Sequence, residues 1–119
     1  MTFSLLQGLR VVELGESVSA PYCTKLLADM GAEVVKIERP GVGDQAREYG
    51  PFLNDEPHNE RSGLFLYLNS NKQGITLDLD TPTGREILGE LLAESQVFVH
   101  NLHPTEMDRL GVNYGTLKS

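Results

Sequence analysis

Hydrophobic positions change their spacing several times along the chain, and each change marks an element. Leu9-Arg10-Val11-Val12-Glu13-Leu14 is short, mostly apolar and β-branched, and it stops at Gly15, which predicts a buried strand. Beyond it, Cys23, Leu26, Leu27 and Met30 recur at i, i+3, i+4 and i+7, so a helix follows and Cys23 is expected in the core. Ser19 is the candidate N-cap, Pro21 suits the first turn, and Gly31 ends the helix as its C′ residue. Glu33-Val34-Val35-Lys36-Ile37-Glu38 returns to a strand pattern. Strand, helix and strand predict a right-handed βαβ unit with parallel strands.

Residues 40–61 lose all periodicity and are punctuated by Pro40, Gly41, Gly43, Gly50, Pro51 and Pro57. Structureless stretches longer than about 12–15 residues in a compact domain are usually functional or disordered, so both a ligand cover and a partner surface stay open. A short helix is expected from Ser62 to Asn69, presenting Leu64, Phe65 and Leu68, and a strand from Ile75 to Leu79. Thr81-Pro82-Thr83 opens a helix through Glu94 with Ile87, Leu88, Leu91 and Leu92 on one stripe. Val97–His100 is the next strand, and Pro104–Leu110 a helix closed by Gly111. Strands alternating with helices predict an α/β three-layer sandwich with a mostly parallel sheet, in which ligands sit outside the carboxyl ends of the strands. By this reading those ends carry Gly15–Ser19, Arg39 and Asn101–His103.

Composition then limits the partners. The 119 residues carry 10 Lys+Arg against 17 Asp+Glu, a net charge of -7, which disfavours broad electrostatic binding to nucleic acid or anionic lipid. No apolar run approaches the roughly 20 residues that span a bilayer, and the start lacks the features of a leader, so a cytoplasmic location with no membrane partner is expected. The single cysteine excludes an internal disulfide and multi-cysteine zinc motifs, and His58, His100 and His103 have no close carboxylate pattern, so no metal is expected.

At the predicted rim, free N–H groups at the start of the first helix could hold an anion, although an ordinary βα turn explains the same residues. Only Gly15 is present where the dinucleotide fingerprint needs three glycines, which lowers NAD and FAD. Arg39 follows the second strand, where adenosine ribose or its phosphate commonly lies; a guanidinium makes a two-pronged phosphate contact and stacks on adenine. The alternative is a surface arginine paired with a carboxylate. Lys72, in the polar turn Asn69–Gly74, is either solvated or meets a second phosphate.

Taken in order, Leu9–Gly15, Ala20-Pro21, Leu27–Pro40, Gly43-Asp44, Gly50-Pro51, Asn69–Lys72, Leu77-Asp78-Leu79, Asn101 and Asp108-Arg109-Leu110-Gly111 resemble the amino-terminal part of the class III coenzyme A transferases of the CaiB/BaiF type. That group includes formyl-CoA transferase, carnitine CoA-transferase and α-methylacyl-CoA racemase. The resemblance implies that residues 1–119 form a Rossmann-like half-domain that binds coenzyme A. It further implies an interlocked homodimer acting on acyl-CoA and carboxylic acid substrates. By the same resemblance, Val18 and Ser19 lie along the pantetheine arm, Arg39 and Lys72 flank the adenine and its phosphates, Asn101, Leu102 and His103 line the cleft, and Arg109 adds positive charge. His103 stands where many members carry arginine, which removes a charge. Lys72 precedes its strand, so a parallel strand would put it at the edge opposite Arg39.

The aspartate that the family's transferases use as nucleophile, forming an aspartyl-CoA intermediate, belongs to a part of the pattern beyond Ser119. The expectation is therefore a fragment with no catalytic residue of its own and no transferase turnover alone. A racemase would need an acid/base pair that these residues do not offer either. A non-catalytic CoA- or nucleotide-binding module is the alternative from another class.

Overall fold

The structure, a computed structural model, describes residues 5–118; Met1–Ser4, part of the start expected to lack a leader, and Ser119 lie outside the described residues. Four strands, β1 (Arg10–Leu14), β2 (Glu33–Glu38), β3 (Gln73–Thr76) and β4 (Val97–His100), form one sheet in the order β3-β2-β1-β4 with every neighbour parallel. The α/β class and the parallel sheet expected from the sequence are both present. β1 is central because Val11, Val12 and Leu14 are buried on both faces, as an interior parallel strand requires.

One face packs against α3 (Pro82–Ala93) and α4 (Pro104–Leu110): Val12, Leu14 and Ile37 meet Leu88, Met107, Leu110 and Val112. Thr81 caps α3 by accepting the Gly84 N–H at 3.0 Å, and Gly111, at φ 72°, ends α4 in the left-handed conformation. Gly84 has no alternative, since a Cβ there would lie 1.9 Å from the Asp78 carbonyl oxygen.

The other face packs against α1 (Ser19–Asp29), and α2 (Gly63–Leu68) lies against α1 and the Gln45–Glu48 turn. Here the expected stripe is corrected. α1 turns Ala20, Thr24 and Ala28 to the sheet, at i, i+4 and i+8, and leaves Cys23, Tyr22 and Leu26 exposed. Small residues let the helix approach the sheet closely; of the expected stripe, Leu27 still packs at the edge of this core, whereas Cys23 and Leu26 point outward. Ser19 is the first helical residue and Val18 the cap position, with no side-chain cap bond.

Residues 40–61 contain two short 3-10 turns, Gln45–Glu48 and Leu53–Asp55, and are closed by a bridge between Phe52 and Ser62. Ser62 holds them to α2: its Oγ donates to the carbonyls of Ala46 and Tyr49, at 2.8 and 2.6 Å, and accepts from Phe65 N at 3.1 Å. The third strand begins two residues before the expected start and ends at Thr76, so Leu77–Asp80 run on past the sheet. A last short helix, α5 (Tyr114–Lys118), follows α4. Among the described residues no helix is long and apolar enough to cross a membrane.

Candidate functional site

The carboxyl ends of the strands open on a cavity of about 380 Å³. Leu14, Ile37, Val42, Leu77, Leu79 and Leu102 make its apolar walls; Arg39, Arg109, Asp78, Asp80 and Glu106 bring charge to it. A second cavity of the same volume, at the amino edge of β4, has no charged side chain in its lining.

Arg39 is delivered to the rim by the end of β2. Its Nε and Nη2 donate to Glu16 Oε1 at 3.1 and 2.7 Å, and Nη2 donates to the Gly43 carbonyl at 3.3 Å, with the side chain 56% exposed. Arg109 comes from the last turn of α4 and donates to Glu106 and to Asp80. The Glu106 and Asp80 bonds hold its guanidinium pKa above the ordinary value, and Arg109 in turn holds the Glu106 carboxyl below its own. Exposed pairs of this kind contribute little, typically under about 1 kcal/mol, so an anion of higher charge can exchange for the carboxylates.

Beside the cavity runs the β1–α1 loop, fixed from three sides. Lys36 Nζ donates to the Gly15 carbonyl at 3.1 Å. Asn101, just after β4, brackets Glu16: its Oδ1 accepts Glu16 N at 3.1 Å and its Nδ2 donates to Glu16 O at 2.7 Å and to Ser19 Oγ at 3.0 Å. Asp44 Oδ1 accepts Ser17 N at 2.9 Å. Gly15 is required here, because a Cβ would lie 2.5 Å from Ala20 Cβ. Ser17 sits at φ 68°, a left-handed conformation uncommon outside glycine, and the three contacts hold it there.

Beneath the loop lies a buried charge network. Parallel pairing sets Glu13 opposite Lys36, and both side chains are essentially inaccessible. Lys36 Nζ lies 2.8 Å from Glu13 Oε2 and 2.8 Å from Asp44 Oδ2; the latter contact is ionic without hydrogen-bond alignment. Thr24 Oγ1 donates to Glu13 Oε1 at 2.7 Å. Lys72 completes the set. Its Nζ donates to Glu13 Oε1 at 2.7 Å, to the Pro21 carbonyl at 3.0 Å and to Asn69 Oδ1 at 2.7 Å, which uses all three of its hydrogens. Burial pushes the Lys72 ammonium below its ordinary value, against the opposing pull of Glu13.

Of the eight residues proposed from the sequence, Arg39, Leu102 and Arg109 line one cavity. Ser19 and Asn101 are joined on the neighbouring loop, and Val18 is exposed beside them. His103 instead caps α4, its Nδ1 accepting Thr105 N at 3.2 Å. Lys72 is corrected: β3 is parallel to β2, so the lysine enters the interior on the α1 side, and two cations rather than three converge at the rim. Leu77–Leu79 were missed as rim because the expected strand runs through them to Leu79, and Asp80 because an acidic residue beside a helix start reads as solvated surface. Glu13, Lys36 and Asp44 were missed too, although charges inside two strands expected to be buried were a visible signal.

The comparisons with known proteins decide the family. The CoA-transferase family III pattern matches residues 6–119. The chain belongs to that family. Among the family's curated members it is 46% identical over 106 residues to the formyl-CoA:oxalate CoA-transferase of Bradyrhizobium sp. (strain ORS 278), covering 89% of this chain and 24% of that protein. It is 41% identical over 110 residues to the succinyl-CoA:glutarate CoA-transferase of Mus musculus, covering 92% and 24%. Its fold overlays a CaiB/BaiF family protein from Brucella suis with a TM-score of 0.84 and 37% identity, covering 99% of this chain and 31% of that one. The chain therefore spans about a quarter of the length of these curated family III relatives, and the architecture expected from the resemblance is that of a family member's amino-terminal part.

Proposed function

We propose that this chain supplies the coenzyme A cradle of a class III CoA-transferase that moves CoA between carboxylic acids. The observation that carries the proposal is the pairing of two displaceable guanidiniums, Arg39 and Arg109, with an apolar slot at the carboxyl rim. A slot walled by leucines suits an adenine ring, Asp78 and Asp80 offer acceptors for amino or hydroxyl hydrogens, and the two arginines answer the phosphates. The β1–α1 loop, with Val18 and Ser19, then borders the path of the pantetheine arm. When bound, CoA supplies the thiol that carries the acyl group, and this chain's residues bind and orient it.

No residue among those described stands out as an acyl-accepting nucleophile, so the carboxylate that would carry the aspartyl-CoA intermediate is assigned to polypeptide outside this chain. Exposed Tyr22, Leu26, Leu66 and Tyr67 on α1 and α2 support work within a larger homodimeric protein. Calorimetric titration with CoA tests the cradle. Arg39→Ala is expected to weaken binding at least tenfold; unchanged affinity would remove Arg39 from the site.

A further inference from the structure

The long segment after β2, expected to be a ligand cover or a partner surface, is tied by its contacts to the β1–α1 loop. Asp44 reaches from it to the β1–α1 loop with a side chain that is 0% exposed. Its two oxygens divide the work. Oδ1 accepts two backbone N–H groups, Ser17 at 2.9 Å and Ala46 at 2.8 Å, while Oδ2 faces the Lys36 ammonium.

Asp44 is itself braced. Its own N–H donates to Glu38 Oε2 at 2.8 Å, and Glu38 is gripped in two-pronged fashion by Arg47, Nε to Oε2 at 2.8 Å and Nη2 to Oε1 at 2.7 Å. The Arg47 guanidinium lies 3.7 Å from the centre of the Phe65 ring and donates to the Asn59 carbonyl at 2.9 Å. The approach demands Gly43, at φ 69°, where a Cβ would lie 2.5 Å from Glu38 Oε2. A continuous set of contacts thus runs from α2 through Arg47, Glu38 and Asp44 to the Ser17 amide.

We propose that Asp44 is a positioning residue that sets CoA affinity through the Ser17 amide, holding the β1–α1 loop in its left-handed turn as the long segment's anchored arm. This rests on the CoA reading above. Oδ1 supplies the geometry, and the charge on Oδ2 serves to neutralise Lys36. The two jobs are separable, because an asparagine keeps an acceptor for the two amides while replacing the charged oxygen with an Nδ2–H2 group that faces the Lys36 ammonium at a cost in stability.

The test compares Asp44→Asn with Asp44→Ala in the intact chain, below the melting temperature of each. Two quantities are read: amide hydrogen exchange at Ser17 without ligand, and CoA affinity by calorimetry. Asp44→Ala is expected to speed Ser17 exchange and to weaken CoA binding, each at least tenfold. Asp44→Asn is expected to rescue both to within about threefold of the parent while still melting earlier. Equal losses in the two variants, or parental affinity in Asp44→Ala, would overturn the proposal. If Asp44→Ala does not fold, Asp44→Asn decides: retained Ser17 protection supports the anchor and lost protection overturns it. A parent chain that binds no CoA would sink the functional reading, and Ser17 exchange would still decide the anchor by itself.

Discussion

On one face of the sheet, Val12, Leu14 and Ile37 meet Leu88, Met107 and Leu110, and stability comes from removing apolar surface from water. On the opposite face, the same two strands place Glu13 and Lys36 side by side on one rung, joined by Thr24, Asp44 and Lys72. Buried ion pairs often contribute no more stability than well-packed apolar residues would, because each charge must leave water. The charged face is therefore poorly explained as a source of stability. Its members end on the Gly15 carbonyl and the Ser17 amide, which is to say on the loop that borders the candidate ligand cavity. Non-directional packing suffices behind the site, whereas directional contacts hold the loop beside it.

Removing the central cation should separate the faces most strongly. Lys36→Met leaves the Asp44 carboxylate buried without its counterion, while Glu13 keeps Lys72, and is expected to lower unfolding free energy by about 3–5 kcal/mol, read by urea denaturation. A loss under about 1 kcal/mol would mean that the pair does not organise this face. Leu88→Ala, at a fully buried position on the apolar side, should cost about 2–5 kcal/mol through transfer and cavity terms while leaving CoA affinity unchanged. A tenfold loss of affinity there would erase the proposed division of labour.

Acid should act next, through Glu38. Burial would raise its carboxyl, but the Arg47 hydrogen bonds and the Asp44 amide outweigh that and hold it below its ordinary value of 4.5. The native state then binds the proton less readily than the unfolded chain, so the stabilisation is fully present above pH 4.5 and is lost as pH falls through the lowered native value. Charge-assisted bonds of this kind contribute about 1.5–3 kcal/mol each. Glu38→Gln should flatten the acid limb of a stability–pH curve, and an identical slope in the variant would assign that limb to other carboxylates.

The strands and the α3 and α4 helices were legible because period and punctuation agreed: β-branched runs ended at Gly15, a Thr81-Pro82 start opened α3, and Gly111 closed α4. Arg39 and Leu102 were legible as rim residues because the family resemblance and the strand-end rule pointed to the same places, whereas Arg109, on α4, was legible through the resemblance alone. α1 misled because large apolar residues dominate a helical stripe, while the face that meets the sheet is chosen by closeness of approach, and Ala20, Thr24 and Ala28 are smaller. Lys72 misled because its role depends on the direction of β3, which alternation alone does not encode. Glu13 and Lys36 escaped because each looks like an ordinary strand charge until pairing register makes them neighbours, and Asp44 because its partner lies 27 residues away.

Amide hydrogen exchange across the whole chain, with and without saturating CoA, tests the central claim most directly. Protection is expected at 15–19, 39–42, 77–80 and 101–103, the segments that meet at the carboxyl rim, with no change at the uncharged cavity around Leu92, Phe98 and Leu117. Protection confined to that uncharged cavity, or none anywhere at saturating ligand, would contradict the account.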